Sequence, residues 1–133
     1  MNAKTVKVGD LMNRDVKSIE KNTTIIAAGK QMIEKHVSSF VIPPDNELDA
    51  FGIITRKDVV ENLITAGAGE TSLKVKDVMT KPSITVNPQL SIHNCHQLML
   101  MVGVRRVPVV EGNKLVGIIS NSDILKNIVS GKL

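Results

Sequence analysis

Two hydroxyl–carboxylate pairs are the residues of this sequence best suited to chemistry. Thr55 precedes Asp58 by three positions, and Ser120 precedes Asp123 at the same spacing. A short apolar run leads into each pair, and the residues that follow have the apolar spacing of a helix. Each pair therefore lies where a strand turns into a helix, whose first backbone N–H groups point outward and favour negative charge. This arrangement suits a ligand that carries hydroxyl or phosphate groups.

The same spacing also suits a purely structural role. In a capping box, a Ser or Thr side chain and a carboxylate three residues later each bond a backbone N–H group at the start of a helix. The presence of two copies does not separate the interpretations, because a repeated fold repeats its caps. Both alternatives stay open on the residues alone.

The pairs belong to an internal duplication of the chain. Val8–Met12 and Val75–Met79 open the two copies 67 residues apart, whereas Gly52 and Gly117, which precede the pairs, are 65 residues apart. The first copy therefore has two extra residues, and Pro43–Asp49 is the loop that would absorb them. The predicted organisation is a repeat at 8–64, a connector at 65–72 and a second repeat at 73–130.

Each copy has the pattern strand, helix, strand, strand, helix. In the second copy, Ile84–Val86 is extended, a helix begins at Ser91, and Val107–Val110 and Leu115–Ser120 form a hairpin. The predicted fold class is α+β, with two pseudo-symmetric βαββα units packed through their sheets into one compact pair. One unit of about sixty residues would bury too little apolar surface to be secure alone, so pairing has a stability reason.

Composition narrows the possible functions. The net charge is +4, the basic residues are scattered, and Trp and Tyr are absent, whereas nucleic-acid binding usually needs a basic stripe and often stacking aromatics. A single cysteine allows no disulfide within the chain and favours a reducing compartment. We see no signal peptide and no apolar run long enough to cross a membrane. We therefore expect a cytoplasmic protein without membrane contact.

Neither a metal site nor catalysis is predicted. His93, Cys95 and His96 are close in sequence, but two histidines with no nearby carboxylate or second cysteine form an incomplete zinc set. A buried cysteine between two partly exposed histidines is the preferred interpretation. The sequence contains none of the common hydrolase, phosphate-loop or metalloprotease motifs, and Asp58 and Asp123 belong to different repeats and are not an obvious acid–base pair. We therefore expect a protein that is not an enzyme.

The combination of motifs resembles the CBS domain, which occurs in tandem pairs known as Bateman modules. The resemblance lies in the Val-x-Asp-Val/Leu-Met start of each copy, in Arg106–Val110, and in Gly-Ile-Ile-Ser/Thr-x-x-Asp near each end. It extends from Val8 to Val129. It implies homodimers of pairs and an adenosine-containing ligand such as AMP, ADP, ATP or S-adenosylmethionine, with no obligatory cofactor.

The resemblance also implies two clefts, each with its base wall from one repeat and its sugar and phosphate contacts from the other. The carboxylates would accept both hydroxyl protons of a ribose diol. The first cleft would contain Asn13, Ser18 and Val37 at the base, and Arg105, Arg106, Ser120 and Asp123 at the sugar and phosphate. The second would contain Thr80, Thr85 and Val104 at the base, and Ser38, Ser39, Thr55 and Asp58 opposite.

The two clefts are expected to differ in affinity for phosphate. Arg105 and Arg106 stand where the first repeat has Ser38 and Ser39, and arginine matches phosphate geometry where serine does not. The function predicted is a stand-alone regulatory module that senses an adenosine ligand and acts on an unidentified effector protein. The alternatives are a structural dimerisation module with no ligand and a small basic protein that contacts nucleic acid.

Overall fold

The computed structural model describes residues 2–67 and 72–133, so residues 68–71 of the predicted connector lie outside the described part. In the described residues, the elements of each repeat follow the order helix, helix, strand, strand, helix. They are α1 (Val8–Leu11), α2 (Ile25–Lys35), β1 (Ser39–Ile42), β2 (Gly52–Thr55), α3 (Arg56–Ala66), α4 (Val75–Val78), α5 (Ile92–Val102), β3 (Arg106–Glu111), β4 (Lys114–Ser120) and α6 (Asn121–Val129).

This order confirms the α+β class and the two repeated units. The predicted helix starts are correct, because Thr24 caps α2 and Ser91 caps α5. The predicted first strand of each repeat is reduced to a single parallel bridge, Ser18 with Val41 in the first and Val86 with Val109 in the second.

The short helices α1 and α4 were not expected from apolar spacing. Each begins with a carboxylate contact, in which Asp10 accepts the N–H of Lys7 at 3.0 Å and Asp77 accepts the N–H of Lys74 at 2.8 Å. A single helical turn has too few residues to show a periodic pattern, but the Asp in each Val-x-Asp-Val/Leu-Met motif is the residue that starts it.

The chain forms two compact units that do not coincide with the two repeats. One, here called the Ser120 unit, consists of Met1–Val16 and Ile84–Leu133; the other, the Thr55 unit, is Lys17–Ser83. Each unit therefore contains the main part of one repeat together with the opening segment of the other repeat.

In the Thr55 unit, β1 and β2 form an antiparallel pair in which Ser39 lies opposite Thr55. Thr80, in the opening segment of the second repeat, extends this pair by bridging Ile53. The core lies between the strands and the helices α2, α3 and α4, and it includes the fully buried side chains of Ile25, Met32, Phe40, Ile54 and Val75.

The Ser120 unit repeats this plan. Strands β3 and β4 are antiparallel with Arg106 opposite Ser120, and a register shift falls between Val109 and Val110. Asn13, in the opening segment of the first repeat, extends the pair by bridging Ile118. Its core includes the buried side chains of Val8, Ile92, Met99, Val107 and Ile119.

Two glycines allow the opening segment of each repeat to lie against the strands of the other repeat, at β4 and at β2. A Cβ atom on Gly117 would be 2.7 Å from Met12 Sδ and 2.9 Å from the carbonyl oxygen of Asn13. A Cβ atom on Gly52 would be 3.0 Å from Met79 Sδ and 3.4 Å from the nearest carbonyl oxygen. The first position is the tighter, because the obstacle there includes backbone that is already bonded to Ile118 in both directions.

We therefore predict that Gly117→Ala lowers the free energy of unfolding by about 1–3 kcal/mol, the usual cost of overpacking. Gly52→Ala is the matched control and should cost clearly less, because the flexible end of Met79 can move aside. Urea unfolding of both variants measures the difference. Equal stability of the two variants would contradict the role assigned to the Asn13 carbonyl.

Candidate functional site

The Ser120–Asp123 pair forms a complete capping box at the start of α6. The Ser120 side chain accepts the N–H of Asp123 at 3.3 Å, and Asp123 Oδ2 accepts both the N–H and the Oγ–H of Ser120 at 2.9 Å. The capping interpretation is therefore realised in the structure. We call the strand–helix junction of Arg105, Arg106, Ser120 and Asp123 the Ser120 corner.

The Thr55–Asp58 pair forms the same box at the start of α3. Asp58 Oδ2 accepts the N–H of Thr55 at 2.8 Å and its Oγ1–H at 2.9 Å, and the Thr55 side chain accepts the N–H of Asp58 at 3.2 Å. We call the junction of Ser38, Ser39, Thr55 and Asp58 the Thr55 corner. The two corners are near copies in geometry.

The capping role leaves part of each carboxylate available. Each carboxylate accepts its two hydrogen bonds on Oδ2. Oδ1 of Asp58 and of Asp123 has no hydrogen bond to the residues that the structure describes. Both aspartates are partly exposed. A carboxylate has about four lone-pair sites, so the same group can cap the helix and accept from a ligand.

The strand beside each box carries the residues predicted to contact phosphate. Arg106 lies opposite Ser120 and Ser39 lies opposite Thr55 in their strand pairs. Each corner is closed by one further backbone bond, since the carbonyl of Arg105 accepts the N–H of the first residue of α6 at 2.9 Å, and Ser38 does the same for α3 at 2.8 Å. The four predicted sugar and phosphate residues of each cleft are thus brought together within one unit.

The predicted base-wall residues are divided between the units. Asn13 joins the Ser120 unit through Ile118, two positions before Ser120, and Thr80 joins the Thr55 unit through Ile53, two positions before Thr55. The other four belong to the opposite unit from the rest of their predicted cleft. These are Ser18 and Val37 in the Thr55 unit, and Thr85 and Val104 in the Ser120 unit.

Ser18 also lies at some remove from the Thr55 corner along β1. It lines a cavity of about 350 Å³ together with Ile42, Pro43 and the Lys21–Asp45 ion pair. That cavity adjoins the last residue of β1, whereas Ser39 of the corner is the first.

One kind of corner residue was missed from sequence. Asn62 and Asn127 donate from their side-chain amides to the carbonyls of Asp58 and Asp123, both at 2.7 Å. The signal was present, because an asparagine follows each aspartate by four positions. Arg56, which lies between Thr55 and Asp58, donates from its Nη2 to the carbonyl of Val37 at 3.2 Å.

The loop between β1 and β2 is tied to the segment that carries Thr80. Lys81 Nζ donates to Asp49 Oδ2 at 2.7 Å, and the N–H of Asp45 donates to the same oxygen at 2.7 Å. The Asp45 N–H, and next the Lys81 ammonium, stabilise the charged carboxylate and lower the pKa of Asp49 to about 2.

The Cys95 region differs from a metal site. Cys95 is fully buried in the core of the Ser120 unit, where burial raises the pKa of its thiol to about 11, while His93 and His96 are exposed. Within residues 2–67 and 72–133, no group of three or more His, Cys, Asp or Glu side chains is placed to hold a metal ion. In the same residues, every helix is too short or too polar to cross a bilayer.

The chain matches the model of the CBS domain twice, over residues 8–65 and 75–130. It is 30% identical over 125 residues to the CBS domain-containing protein YhcV of Bacillus subtilis, covering 94% of this chain and 87% of that protein. It is also 32% identical over 124 residues to protein MK0525 of Methanopyrus kandleri, covering 92% of this chain and 63% of the relative. The chain belongs to the CBS domain family and contains a pair of these domains.

Solved structures show the same fold. The hexameric CBS-CP12 protein from bloom-forming cyanobacteria is similar with a TM-score of 0.84 and 34% identity, over 90% of this chain and 69% of that one. The CBS domain pair of protein MJ0100, in complex with 5′-methylthioadenosine and S-adenosylmethionine, has a TM-score of 0.80 at 24% identity, with 96% and 98% covered. CBSX2 in complex with AMP has a TM-score of 0.74 at 21% identity, with the same coverage.

Because the pKa of Asp49 is lowered, we expect the free energy of unfolding to depend on pH through this carboxylate. The folded state holds this carboxylate in its charged form, so its contribution to stability is present above the ordinary carboxyl pKa of 3.8 and is lost as the pH falls toward 2. We expect Asp49→Asn to be less stable than wild type at pH 5, and the difference to shrink by pH 2.5, in denaturant unfolding. Glu47→Gln, in the same loop with no hydrogen bond to a described residue, should show no such change.

Proposed function

We propose that this chain is a regulatory module that binds an adenosine-containing ligand at its two corners and relays that binding to another protein. The observation that carries the proposal is the pair of capping boxes, each of which leaves one carboxylate oxygen without a hydrogen bond to the described residues. Each box lies beside a strand whose first residue is polar, Ser39 or Arg106. A helix cap alone does not need an arginine pair next to it.

The chemistry of an adenosine ligand fits these groups. Oδ1 of Asp123 can accept from ribose hydroxyls while Oδ2 remains bound to Ser120. Arg105 is exposed and Arg106 is partly exposed, and a guanidinium group matches the geometry of a phosphate. The likeness to folds solved with AMP, S-adenosylmethionine and 5′-methylthioadenosine supports the ligand class, though at 21–24% identity it establishes only the fold.

The effector protein that this module would regulate is expected to recognise a change in its surface. The chain spans 63% of the Methanopyrus relative and 53% of the mitochondrial CBSX3 protein of Arabidopsis thaliana, to which it is 32% identical over 109 residues. Those proteins have additional sequence beyond the matched part. A ligand shifts a protein between two states only by its differential affinity for them, so the effector must contact a surface that differs between the two.

Substitution of Asp123 distinguishes a role in ligand binding from a role in helix capping alone. If Oδ1 accepts from ribose, Asp123→Ala should weaken adenosine and AMP binding by about 1.5–3 kcal/mol, the range for hydrogen bonds to charged groups. Loss of the cap should in any case cost about 1 kcal/mol of stability. Calorimetric titration and urea unfolding of the same variant measure both. A loss of stability with unchanged affinity would leave the carboxylate as a cap only.

A second variant, Arg106→Ala, tests whether the Ser120 corner recognises the phosphate group of the ligand. The guanidinium should contribute to AMP binding through charge-assisted bonds, which are about twice as strong as neutral ones, and adenosine affinity should barely change. The Ser120 unit also has eight basic and four acidic residues, whereas the Thr55 unit has nine of each. Tighter AMP binding at the Thr55 corner than at the Ser120 corner would reverse the assignment.

We further propose that two copies associate through helix faces. Each unit exposes large apolar side chains on its helices, in amounts that a single chain does not need for its own core. In the Ser120 unit these are Leu100, Met101, Val102, Leu125, Ile128 and Val129, and in the Thr55 unit they are Ile33, Val60 and Ile64. A homodimer is the simplest closed assembly for such faces, although the CBS-CP12 relative is described as hexameric.

Light scattering at micromolar concentration should therefore give a mass of at least twice 14.4 kDa. Ile128→Glu should reduce it toward the monomer by placing a charge on the proposed face. Leu48→Glu is the control, because Leu48 is fully exposed in the β1–β2 loop and lies on no helix. A monomeric wild type would refute the proposal, and so would an Ile128→Glu variant that still associates.

A further inference from the structure

The two corners place their arginines on opposite sides of the same backbone hydrogen bond. At the Ser120 corner, the carbonyl of Arg105 accepts the N–H of Asn121. At the Thr55 corner, the carbonyl of Ser38 accepts the N–H of Arg56. One of the two bonded residues is an arginine in each case, but it comes from the strand side in one unit and from the helix side in the other.

The side chain of Arg56 is directed toward the strand. Its Nη2 donates to the carbonyl of Val37 at 3.2 Å, and Val37 is followed directly by Ser38 and Ser39, the strand residues of the corner. The next cation along the helix, Lys57, lies instead 3.8 Å from Glu61 along the exposed face of α3. Of these two cations, Arg56 is therefore the one held at the Thr55 corner.

The bond to Val37 occupies only part of the guanidinium. The group has five N–H donors in a fixed fork, and within the described residues the Arg56 side chain donates one hydrogen bond, from Nη2. The residue as a whole is exposed. A guanidinium anchored at one nitrogen and open at the others is suited to bidentate recognition of an oxyanion.

We propose that Arg56 is the phosphate-recognition residue of the Thr55 corner and takes the place that the Arg105–Arg106 pair has at the other corner. Both corners then accept phosphorylated adenosine ligands, although the serine pair at positions 38 and 39 suggests a neutral site. The inference rests on the proposed function, because it presumes that the Thr55 corner binds an adenosine ligand.

The test uses the full chain in an Asp123→Ala background, which weakens the Ser120 corner. AMP and adenosine are titrated by calorimetry into this protein and into the same protein carrying Arg56→Asn, which copies the residue found at position 121. AMP affinity should fall by at least about tenfold, as expected for loss of a charge-assisted bond. Adenosine affinity should stay within about twofold.

A swap supplies the positive control. Adding Ser38→Arg to Arg56→Asn reproduces the bonded Arg105–Asn121 pair of the Ser120 corner, and it should restore most of the AMP affinity because the arginine has only moved to the other side of the backbone hydrogen bond. Lys57→Ala should leave AMP binding unchanged. Circular dichroism of each variant checks that it is folded.

The other possible results would overturn either the role proposed for Arg56 or the proposed function. Equal loss of AMP and adenosine affinity in Arg56→Asn would assign Arg56 a structural role and overturn the inference, as would no loss at all. If wild type binds both ligands but the Asp123→Ala background binds neither, the Thr55 corner is not a site, and the proposed function survives at the Ser120 corner alone. If wild type binds neither ligand, the proposed function itself fails.

Discussion

The structure depends on the burial of a short segment of each repeat in the unit formed by the other repeat. Val8 and Val75 are both fully buried, and burial of a valine side chain stabilises a fold by about 1.5–3 kcal/mol. The N–H of Val8 donates to the carbonyl of Leu90, and that of Val75 donates to the carbonyl of Thr23, both at 2.8 Å. Neither unit is complete without residues that lie far away in the sequence, so each repeat depends on the other for its fold.

The burial of each repeat's opening segment in the other unit also sets the geometry of the corners. The opening segments pair with β4 and β2 immediately before those strands reach Ser120 and Thr55, and the absence of a side chain at Gly117, and less strictly at Gly52, makes room for them. The capping boxes then fix where the hydroxyl and the carboxylate point. In the function proposed above, helix capping and ligand binding would use the same carboxylates, so a substitution at Asp58 or Asp123 must be tested for both.

Local chemistry made the helix starts, the hairpins and the capping boxes predictable from sequence. A Ser or Thr three positions before Asp and β-branched strand residues act within a few positions, and the structure contains both features as expected. The exchange of segments was not predictable in this way, because the sequence repeat and the compact unit are different groupings of the same residues. The first strands shrank to single bridges for a related reason, since a strand needs a neighbour along its length and Ser18 and Val86 each find one only briefly.

The site residues show the same limit of local reasoning. Aligning the two repeats position by position sets Arg105 and Arg106 against Ser38 and Ser39, and it makes the Thr55 corner look neutral. The backbone bond between Ser38 and Arg56 joins two positions 18 residues apart, so the relevant comparison is between bonded neighbours and not between aligned positions. A charge that is lost from the strand in one repeat is present on the helix beside it. Two copies of a domain can therefore conserve the chemistry of a corner while exchanging the residues that supply it.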